Sequence, residues 1–167
     1  ILTSQNLIKQ GTVIDTLLQS LIVDKTINVN DLLVGDKNAI MVAARVLGYG
    51  KDYEFTYDDE EQTVDLSKLE PVDIDFKKIT KGVNEFSYEL PNSKRTVTFK
   101  LLTARDEKNI EVDLKALNEF LSRDSLAFRM HLTSITPDID MSTTIDIDGE
   151  EQEVTIPVTL RFFWPTA

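Results

Sequence analysis

The first fifty residues have hydrophobic positions at helical spacing. Between residues 12 and 23 apolar side chains recur every three or four positions, which predicts an amphipathic helix. A second, mostly apolar stretch runs from Asp36 to Leu47, with Asp36 as a candidate cap of its first turn and Gly48 and Gly50 as stop signals. Because this stretch has so few polar positions, we expect it to be the most buried helix.

The pattern then changes to alternating apolar and polar residues, which predicts β-hairpins. Three polar segments, residues 58–61, 91–94 and 148–151, have the composition of hairpin tips. The apolar positions that alternate around them are Tyr53, Phe55, Tyr57, Val64 and Leu66, then Phe86, Tyr88, Leu90, Val97, Phe99 and Leu101, and finally Ile145, Ile147, Val154, Ile156, Val158 and Leu160.

A further helical region lies between the second and third hairpins. Thr103 and Asp106 have the spacing of a capping box. The apolar residues that follow at helical spacing are Ile110, Leu114, Leu117, Phe120 and Leu121. Asp124 is a candidate cap of another short helix that contains Leu126, Phe128 and Met130, although the alternation of these three leaves a strand as the alternative.

Together these elements predict an α+β fold with a helical centre and antiparallel β-hairpins. The length of 167 residues suits a single domain. We expect four consecutive parts: residues 1–50 helical, 51–102 hairpins, 103–135 helical, and 136–167 a C-terminal hairpin with an aromatic tail.

Charge and composition narrow the classes of function. A net charge of −11 disfavours nucleic acid as a partner and favours a partner with a basic patch. With no cysteine and one histidine, the chain offers neither a disulfide framework nor a thiolate or His-rich metal site. No apolar run reaches about 18 residues, so we expect no membrane span. No export signal is visible, and a start at Ile1 suggests processing or trimming.

Residue chemistry predicts no enzyme, no catalytic residue and no cofactor. His131 is the only ordinary general base, and a histidine between Met130 and Leu132 is more typical of a satisfied, partly buried side chain. The glycines at 48 and 50 lack the pattern of a phosphate-binding loop. Six basic residues are a candidate partner contact, with solvated surface charges as the alternative; they are Lys77, Lys78, Lys81, Lys94, Arg95 and Lys100.

Residues 58–66 align with residues 148–156 without a gap. Chance similarity between acidic turns is one explanation, and a pseudo-symmetric module is the other. The acidic tips offer oxygen ligands of the kind that calcium accepts, but their spacing does not reproduce an EF-hand loop. Solvated acidic turns are therefore favoured. A calcium-responsive binding module stays as an alternative function, and a hydrolase with a carboxylate-bound metal is a third hypothesis.

The C-terminal aromatic residues are the candidate interface. Phe162, Phe163 and Trp164, with the neighbouring Arg161, would act as anchors in a protein interface. The alternative is that they complete the core of this chain.

Three stretches together resemble a known family. They are Leu32–Ile40 with Ala43–Arg45 and Tyr49–Gly50, then Ser122–Asp124 with Pro137–Asp140, then Glu151–Pro157 with Phe162–Pro165. In this order they are similar to the baseplate hub protein family of T-even-type bacteriophages. The motif positions to which we assign structural roles are Gly35, Asp36, Arg45, Gly50, Asp138, Asp140 and Pro157. Of these, Asp36 is expected to cap a helix, and Arg45 to lie on a helix surface or in a buried ion pair.

The resemblance also implies a structural expectation for the two acidic hairpins. Many members of the family have cysteine pairs at the turns that correspond to 58–61 and 148–151, where they could complete a zinc site. This chain has no cysteine, so zinc is not expected. We expect a zinc-ribbon-like module without metal, in which strand pairing and packing between the hairpins replace the ion.

The function implied by the resemblance is non-enzymatic. The chain would act in assembly of the baseplate hub, as a structural component or as an assembly chaperone, through contacts with other hub or tape-measure proteins. It would be found in the virion tail or in the host cytoplasm during assembly. The expected partners include neither nucleic acid nor membrane, and an oligomer is a candidate state.

Overall fold

The computed structural model describes residues 12–107, 122–147, 149–158 and 160–163, and these ranges form an α+β fold, as predicted. The helices are α1 (Thr12–Leu21), α2 (Val34–Tyr49), α3 (Ala104–Glu107), α4 (Ser122–Thr133) and α5 (Leu160–Phe163). The strands are β1 (Asp52–Tyr57), β2 (Glu60–Asp65), β3 (Phe86–Glu89), β4 (Thr96–Phe99), β5 (Ser142–Ile147) and β6 (Glu150–Thr155). Single 3-10 turns occupy Val29–Asp31, Leu66–Lys68 and Phe76–Lys78.

The six strands form three separate antiparallel hairpins, β1–β2, β3–β4 and β5–β6. The expectation that strands of the first and third hairpins pair with each other is therefore wrong for the described residues. Each hairpin is a two-stranded sheet, which has only marginal stability alone and needs one face packed against another element. The zinc-ribbon-like arrangement of the two tips stays a prediction.

The chain divides into two compact units that combine distant segments. Unit 1 consists of Ile1–Val23, Asn38–Val72 and Asp138–Ala167, and unit 2 of Asp24–Lys37 and Asp73–Pro137. Each unit contains both helical and hairpin segments. The four consecutive parts expected from the sequence thus do not coincide with the compact units, because segments far apart in sequence pack together.

The core of unit 1 is built from the apolar faces of its helices and of its two hairpins. Its buried apolar side chains are Val13, Leu18, Met41, Val42, Tyr53, Phe55, Leu66, Ile145, Val154, Ile156, Phe162 and Phe163. The strand residues among them come from the alternation that predicted the hairpins. Full burial of such a side chain contributes about 1.5–3 kcal/mol relative to exposure.

The first and third hairpins are equivalent at an offset of 90 residues. Tyr57 pairs with Glu60 and Ile147 with Glu150, so both hairpins have two-residue turns. Each ladder is extended by one further hydrogen bond: the N–H of Leu66 donates to the carbonyl of Lys51 at 2.8 Å, and that of Ile156 to Met141 at 2.7 Å. The structural equivalence therefore extends beyond the nine aligned residues and includes β1 and β5.

In unit 2 the hairpin β3–β4 packs its aromatic face against α4. The ring of Phe99 lies 5.0 Å from that of Phe128, centroid to centroid, and Tyr88 lies 4.2 Å from His131. Residues Ser122–Thr133 are helical, so the strand alternative for this segment is wrong.

The capping box predicted at Thr103 and Asp106 is confirmed. The hydroxyl of Thr103 donates to Asp106 Oδ2 at 2.8 Å, and the N–H of Asp106 donates back to Thr103 Oγ1 at 3.3 Å. The apolar positions Ile110 to Leu121 of the predicted helix lie outside the described residues.

Both ends of α2 have identifiable partners, but its start differs from the prediction. The helix begins at Val34, so Asp36 is its third residue and not its cap. An antiparallel bridge between Leu33 and Thr103 holds this end, and the N–H of Val34 donates to the carbonyl of Leu102 at 3.0 Å. At the other end Gly50 has φ +86°, the left-handed conformation of a helix-terminating glycine, as its predicted role as a stop signal requires.

Two further expectations for unit 1 are wrong. α2 was expected to be the most buried helix, but most of its residues are intermediate or exposed: Met41, Val42 and Arg45 are buried, whereas Leu47 is 88% exposed. The last strand ends at Thr155, so Val158 and Leu160 do not continue it. Pro157 has no N–H to donate to a ladder, which explains this end.

Candidate functional site

Phe162 and Phe163 of the predicted interface lie in the interior of unit 1. Phe162 is 0% exposed and Phe163 is 2% exposed. The ring of Phe162 contacts Tyr53 edge-to-face, with centroids 5.0 Å apart, and Phe163 at 5.1 Å. This agrees with the alternative that they complete the core of the chain. Trp164 and the side chain of Arg161 lie outside the described residues.

Tyr53 links this aromatic core to the motif residue Pro157. Its hydroxyl donates to the carbonyl of Pro157 at 2.8 Å, so the chain between β6 and α5 is fixed against β1. A buried phenol requires such a partner. Pro157 therefore ends a strand and accepts the hydrogen bond of a core tyrosine.

Arg45 is a buried cation that binds backbone carbonyls. Its guanidinium donates to the carbonyls of Gly50 at 2.8 Å and Asp52 at 3.1 Å. The guanidinium carbon also lies 5.4 Å from the ring centroid of Tyr49 and 5.8 Å from that of Tyr53. Neither expected role is found: the residue is not on the surface, and no ion pair of Arg45 is present among the described residues. Instead it joins the end of α2 to the start of β1.

The other motif positions have structural surroundings. Gly35 is buried in the first turn of α2. Asn38 donates to the carboxylate of Asp138 at 3.0 Å. The carboxylate of Asp140 accepts the hydroxyl of Ser142 at 2.6 Å and its N–H at 2.9 Å, and these two bonds lower the pKa of Asp140. These groups are satisfied by neighbours in the fold, which supports the structural roles assigned to them.

The acidic tips do not assemble a metal site within the described residues. No group of three or more His, Cys, Asp or Glu side chains there is placed to hold an ion. Asp146, beside the second tip, accepts the N–H of Gly149 at 2.9 Å. The carboxylates present also differ from the cysteine pairs of a structural zinc site. Neither the calcium module nor the metal-dependent hydrolase gains support.

Three of the basic candidate residues, Lys78, Lys94 and Lys100, pair with local acids. Lys78 lies 3.5 Å from Asp75, Lys94 lies 3.8 Å from Glu89, and Lys100 lies 2.8 Å from Asp106. The hydrogen bond from Lys100, together with those from Thr103, lowers the pKa of Asp106 to about 2. The candidate partner contact is therefore partly neutralised within unit 2.

The imidazole of His131 lies against two aromatic rings. It stacks on Tyr88 and meets the ring of Phe99 edge-on at 6.0 Å. Burial, followed by the positive charge of Lys78, lowers its pKa below the ordinary value. These contacts agree with the expectation that the side chain of His131 is partly buried.

An apolar groove on unit 1 is the surface that the sequence pattern did not single out. It encloses about 460 Å³. α1, α2 and Phe163 line it, with the residues Leu17, Leu21, Ile40, Ala43, Ala44, Leu47, Gly48, Tyr49 and Phe163. Leu21 and Tyr49 are each 49% exposed, and the more exposed Leu47 lies with them. The one signal in the sequence was that α2 is apolar on most of its circumference, which we attributed to burial.

No family model matches this chain, and neither a curated protein nor a solved structure matches it. The likeness to the baseplate hub family thus depends on the three sequence stretches. Among the described helices, none combines the length and the hydrophobicity that a membrane span requires.

Proposed function

We propose that this protein is a non-enzymatic component of a contractile phage tail that acts in assembly of the baseplate hub. It acts as a hub subunit or as an assembly chaperone, through contacts with other hub or tape-measure proteins. Assembly takes place in the host cytoplasm, and a hub subunit then remains in the virion tail.

The observation that carries this proposal is the apolar groove of unit 1. Exposed apolar side chains are normal when they occur singly, but a grouped set of them marks a surface for another molecule. Leu21, Leu47 and Tyr49 form such a set, and they come from two helices that the core holds in place. The groove offers a partner apolar contact, and its lining contains no carboxylate, ammonium, guanidinium or imidazole group.

The residues on which the family resemblance rests give further support. Arg45 bonds to Gly50 within the first stretch, and Asn38 of the same stretch bonds to Asp138 of the second. Pro157 of the third stretch accepts the hydroxyl of Tyr53. The first and second stretches thus contact each other, and the third contacts β1, which follows the first stretch in the chain. Contacts of this kind give the residues of the resemblance a part in specifying the fold.

The proposal is tested by complementation in the phage that encodes this chain. Disruption of the gene is expected to abolish complete baseplates in electron micrographs of infected cells, and expression of the wild-type chain to restore them. Leu47→Asp is expected not to restore them, whereas Leu126→Asp, at a 61% exposed leucine on α4, restores them. Normal tails in the absence of the chain would rule out the proposed function.

Mass spectrometry of purified virions then separates the two roles. Stoichiometric presence of the chain in virions indicates a hub subunit. Presence in assembly intermediates together with absence from virions indicates an assembly chaperone.

A further inference from the structure

The groove of unit 1 has the size and lining for the apolar face of a helix. A cavity of about 150 Å³ holds one benzene ring, so a volume of about 460 Å³ accommodates about three apolar side chains. An amphipathic helix occupies a groove with a short row of apolar anchors drawn from its i, i+3, i+4 and i+7 positions. Its wall includes the small residues Ala43, Ala44 and Gly48, and a Cβ added at Gly48 meets no atom within 4 Å. Small residues with open space above them allow another backbone to approach closely.

The net negative charge of the chain arises entirely from the unit that contains this groove. Unit 1 has sixteen acidic and five basic residues, a net charge of −11, whereas unit 2 has thirteen of each and a net charge of zero. The net charge of the whole chain does not reveal this difference between the two units. A unit with such an excess of one sign attracts partners of the opposite sign and repels those of its own.

We propose that the groove binds an amphipathic helix of a partner protein, whose apolar face is flanked by lysine or arginine residues. The apolar anchors supply affinity, and the basic flanks supply orientation and a faster encounter with the acidic unit. This inference rests on the proposed function, since it names the chemistry of the partner that the groove receives.

Charge also argues against a second copy of this chain as the occupant. In a two-fold dimer the same patch on both copies meets at the interface, so two units of net charge −11 would be brought together. Like charges at an interface suppress association. A partner with a basic flank faces no such penalty.

The test uses the full chain and two synthetic peptides of about 18 residues, a helix about 27 Å long. Both have leucines at the i, i+3, i+4 and i+7 positions, and their flanks have lysine in one and glutamate in the other. Fluorescence anisotropy is expected to show binding of the lysine peptide that is about tenfold or more tighter than that of the glutamate peptide. Added salt is expected to reduce this ratio.

Variants locate the binding site. Leu47→Asp and Leu21→Asp are each expected to weaken binding of the lysine peptide by about tenfold or more. Leu126→Asp introduces the same change at an exposed leucine of unit 2 and is expected to leave binding unchanged. Circular dichroism of each variant verifies that the fold is retained.

Three results would overturn the inference: no binding of the lysine peptide, equal binding of both peptides, or an unchanged affinity in Leu47→Asp. A concentration-dependent dimer in sedimentation that Leu47→Asp abolishes would also overturn it, because a second copy would then fill the groove. The proposed function is tested by a different experiment, complementation, so it can fail independently of this inference. If complementation shows that tails need the chain while the peptide does not bind, only this inference falls; if the peptide binds and tails form without the chain, only the proposed function falls.

Discussion

The side-chain amide of Asn38 donates a hydrogen bond to the carboxylate of Asp138, with Nδ2 and Oδ1 3.0 Å apart. The bond is partly buried and joins α2 to the segment that precedes β5. The same carboxylate oxygen accepts the N–H of Ile139 at 2.8 Å. Two residues that are one hundred positions apart thus hold together two segments of unit 1.

Asn38→Asp is expected to destabilise the protein by about 2 kcal/mol at neutral pH, because it replaces a donor by a second carboxylate beside Asp138. The deficit is expected to shrink at about pH 3, where a protonated carboxyl can donate. Urea denaturation measures both. Asn38→Ala, which removes the donor without adding charge, is expected to cost about 1 kcal/mol. An Asn38→Asp variant as stable as wild type at neutral pH would contradict the role of this bond.

Asp124 has a different function from the helix cap expected of it. It lies in the first turn of α4 with its carboxylate fully buried. The carboxylate accepts the N–H of Asn92 at 2.8 Å, the amide of the same residue at 2.9 Å and the N–H of Ser93 at 3.1 Å. Burial raises the pKa of Asp124, but these hydrogen bonds outweigh that effect and lower the pKa to about 2. The residue therefore fixes the turn of the second hairpin to α4.

This arrangement predicts a pH dependence of stability. The pKa of Asp124 in the folded state, about 2, lies below the ordinary value of 3.8, so its contribution is present above about pH 4 and is lost as the pH falls towards 2. Asp124→Asn is expected to lower the melting temperature at pH 7 by on the order of 5 °C, because an amide NH₂ cannot accept the N–H groups. The difference between wild type and variant is expected to narrow between about pH 4 and pH 2.

The difference in melting temperature between wild type and Asp124→Asn isolates the contribution of Asp124, because both proteins contain all the other acidic residues. Asp65 and Asp106 also have a pKa of about 2, so they produce the same acid dependence in both proteins. Melting curves of the two proteins at matched pH values measure the difference. A difference in melting temperature that stays constant from pH 7 to pH 2 would exclude this role of the carboxylate.

Local patterns in the sequence predicted most helices and strands of this fold. The features that these patterns did not predict depend on contacts between residues far apart in the chain. The alternation around Phe55 and Ile145 and the capping box at Thr103 depend on neighbours within a few residues, and they are present as predicted. The start of α2 depends on a bridge to Thr103, seventy residues from Leu33, which no local pattern shows. The division into two units depends on such distant contacts as well.

The candidate site was predicted less well than the fold. The aromatic residues Phe162 and Phe163 were predicted to form an interface. Their burial depends on the contact between α5 and Tyr53 of β1, which the sequence does not reveal. Leu47 and Tyr49 belong to a helix whose apolar residues exceed what its core-facing side needs. A hydrophobic pattern alone does not distinguish a residue that faces the core from one that faces an open groove.

Phe162→Ala tests whether the C-terminal aromatic residues belong to the core. Removal of a fully buried phenylalanine that contacts Tyr53 and Phe163 is expected to cost about 3–5 kcal/mol in the free energy of unfolding. Phe76→Ala is the matched control, because Phe76 is 75% exposed, and it is expected to change stability by less than about 0.5 kcal/mol. Urea denaturation measures both variants. Equal stability of the two would instead favour Phe162 as a surface anchor.

The equivalence of the first and third hairpins predicts how their tips respond to exchange of residues. Gly149 has φ +84°, and Asp59, ninety residues earlier, has φ +64°. Gly149→Ala is expected to cost about 1–2 kcal/mol, because a left-handed conformation is unfavourable for a residue with a Cβ. The added Cβ would meet no atom within 4 Å, so this cost is that of the backbone alone.

Gly149→Asp, which reproduces the first tip at this position, is expected to cost less than Gly149→Ala. Aspartate tolerates the left-handed conformation through local hydrogen bonds. For the same reason Asp59→Gly is expected to stay within about 0.5 kcal/mol of wild type, since relief of strain is offset by the greater freedom of glycine in the unfolded chain. Urea denaturation of the three variants measures the order. If Gly149→Asp is at least as destabilising as Gly149→Ala, the two tips differ in their turn geometry, and the equivalence is limited to the strands.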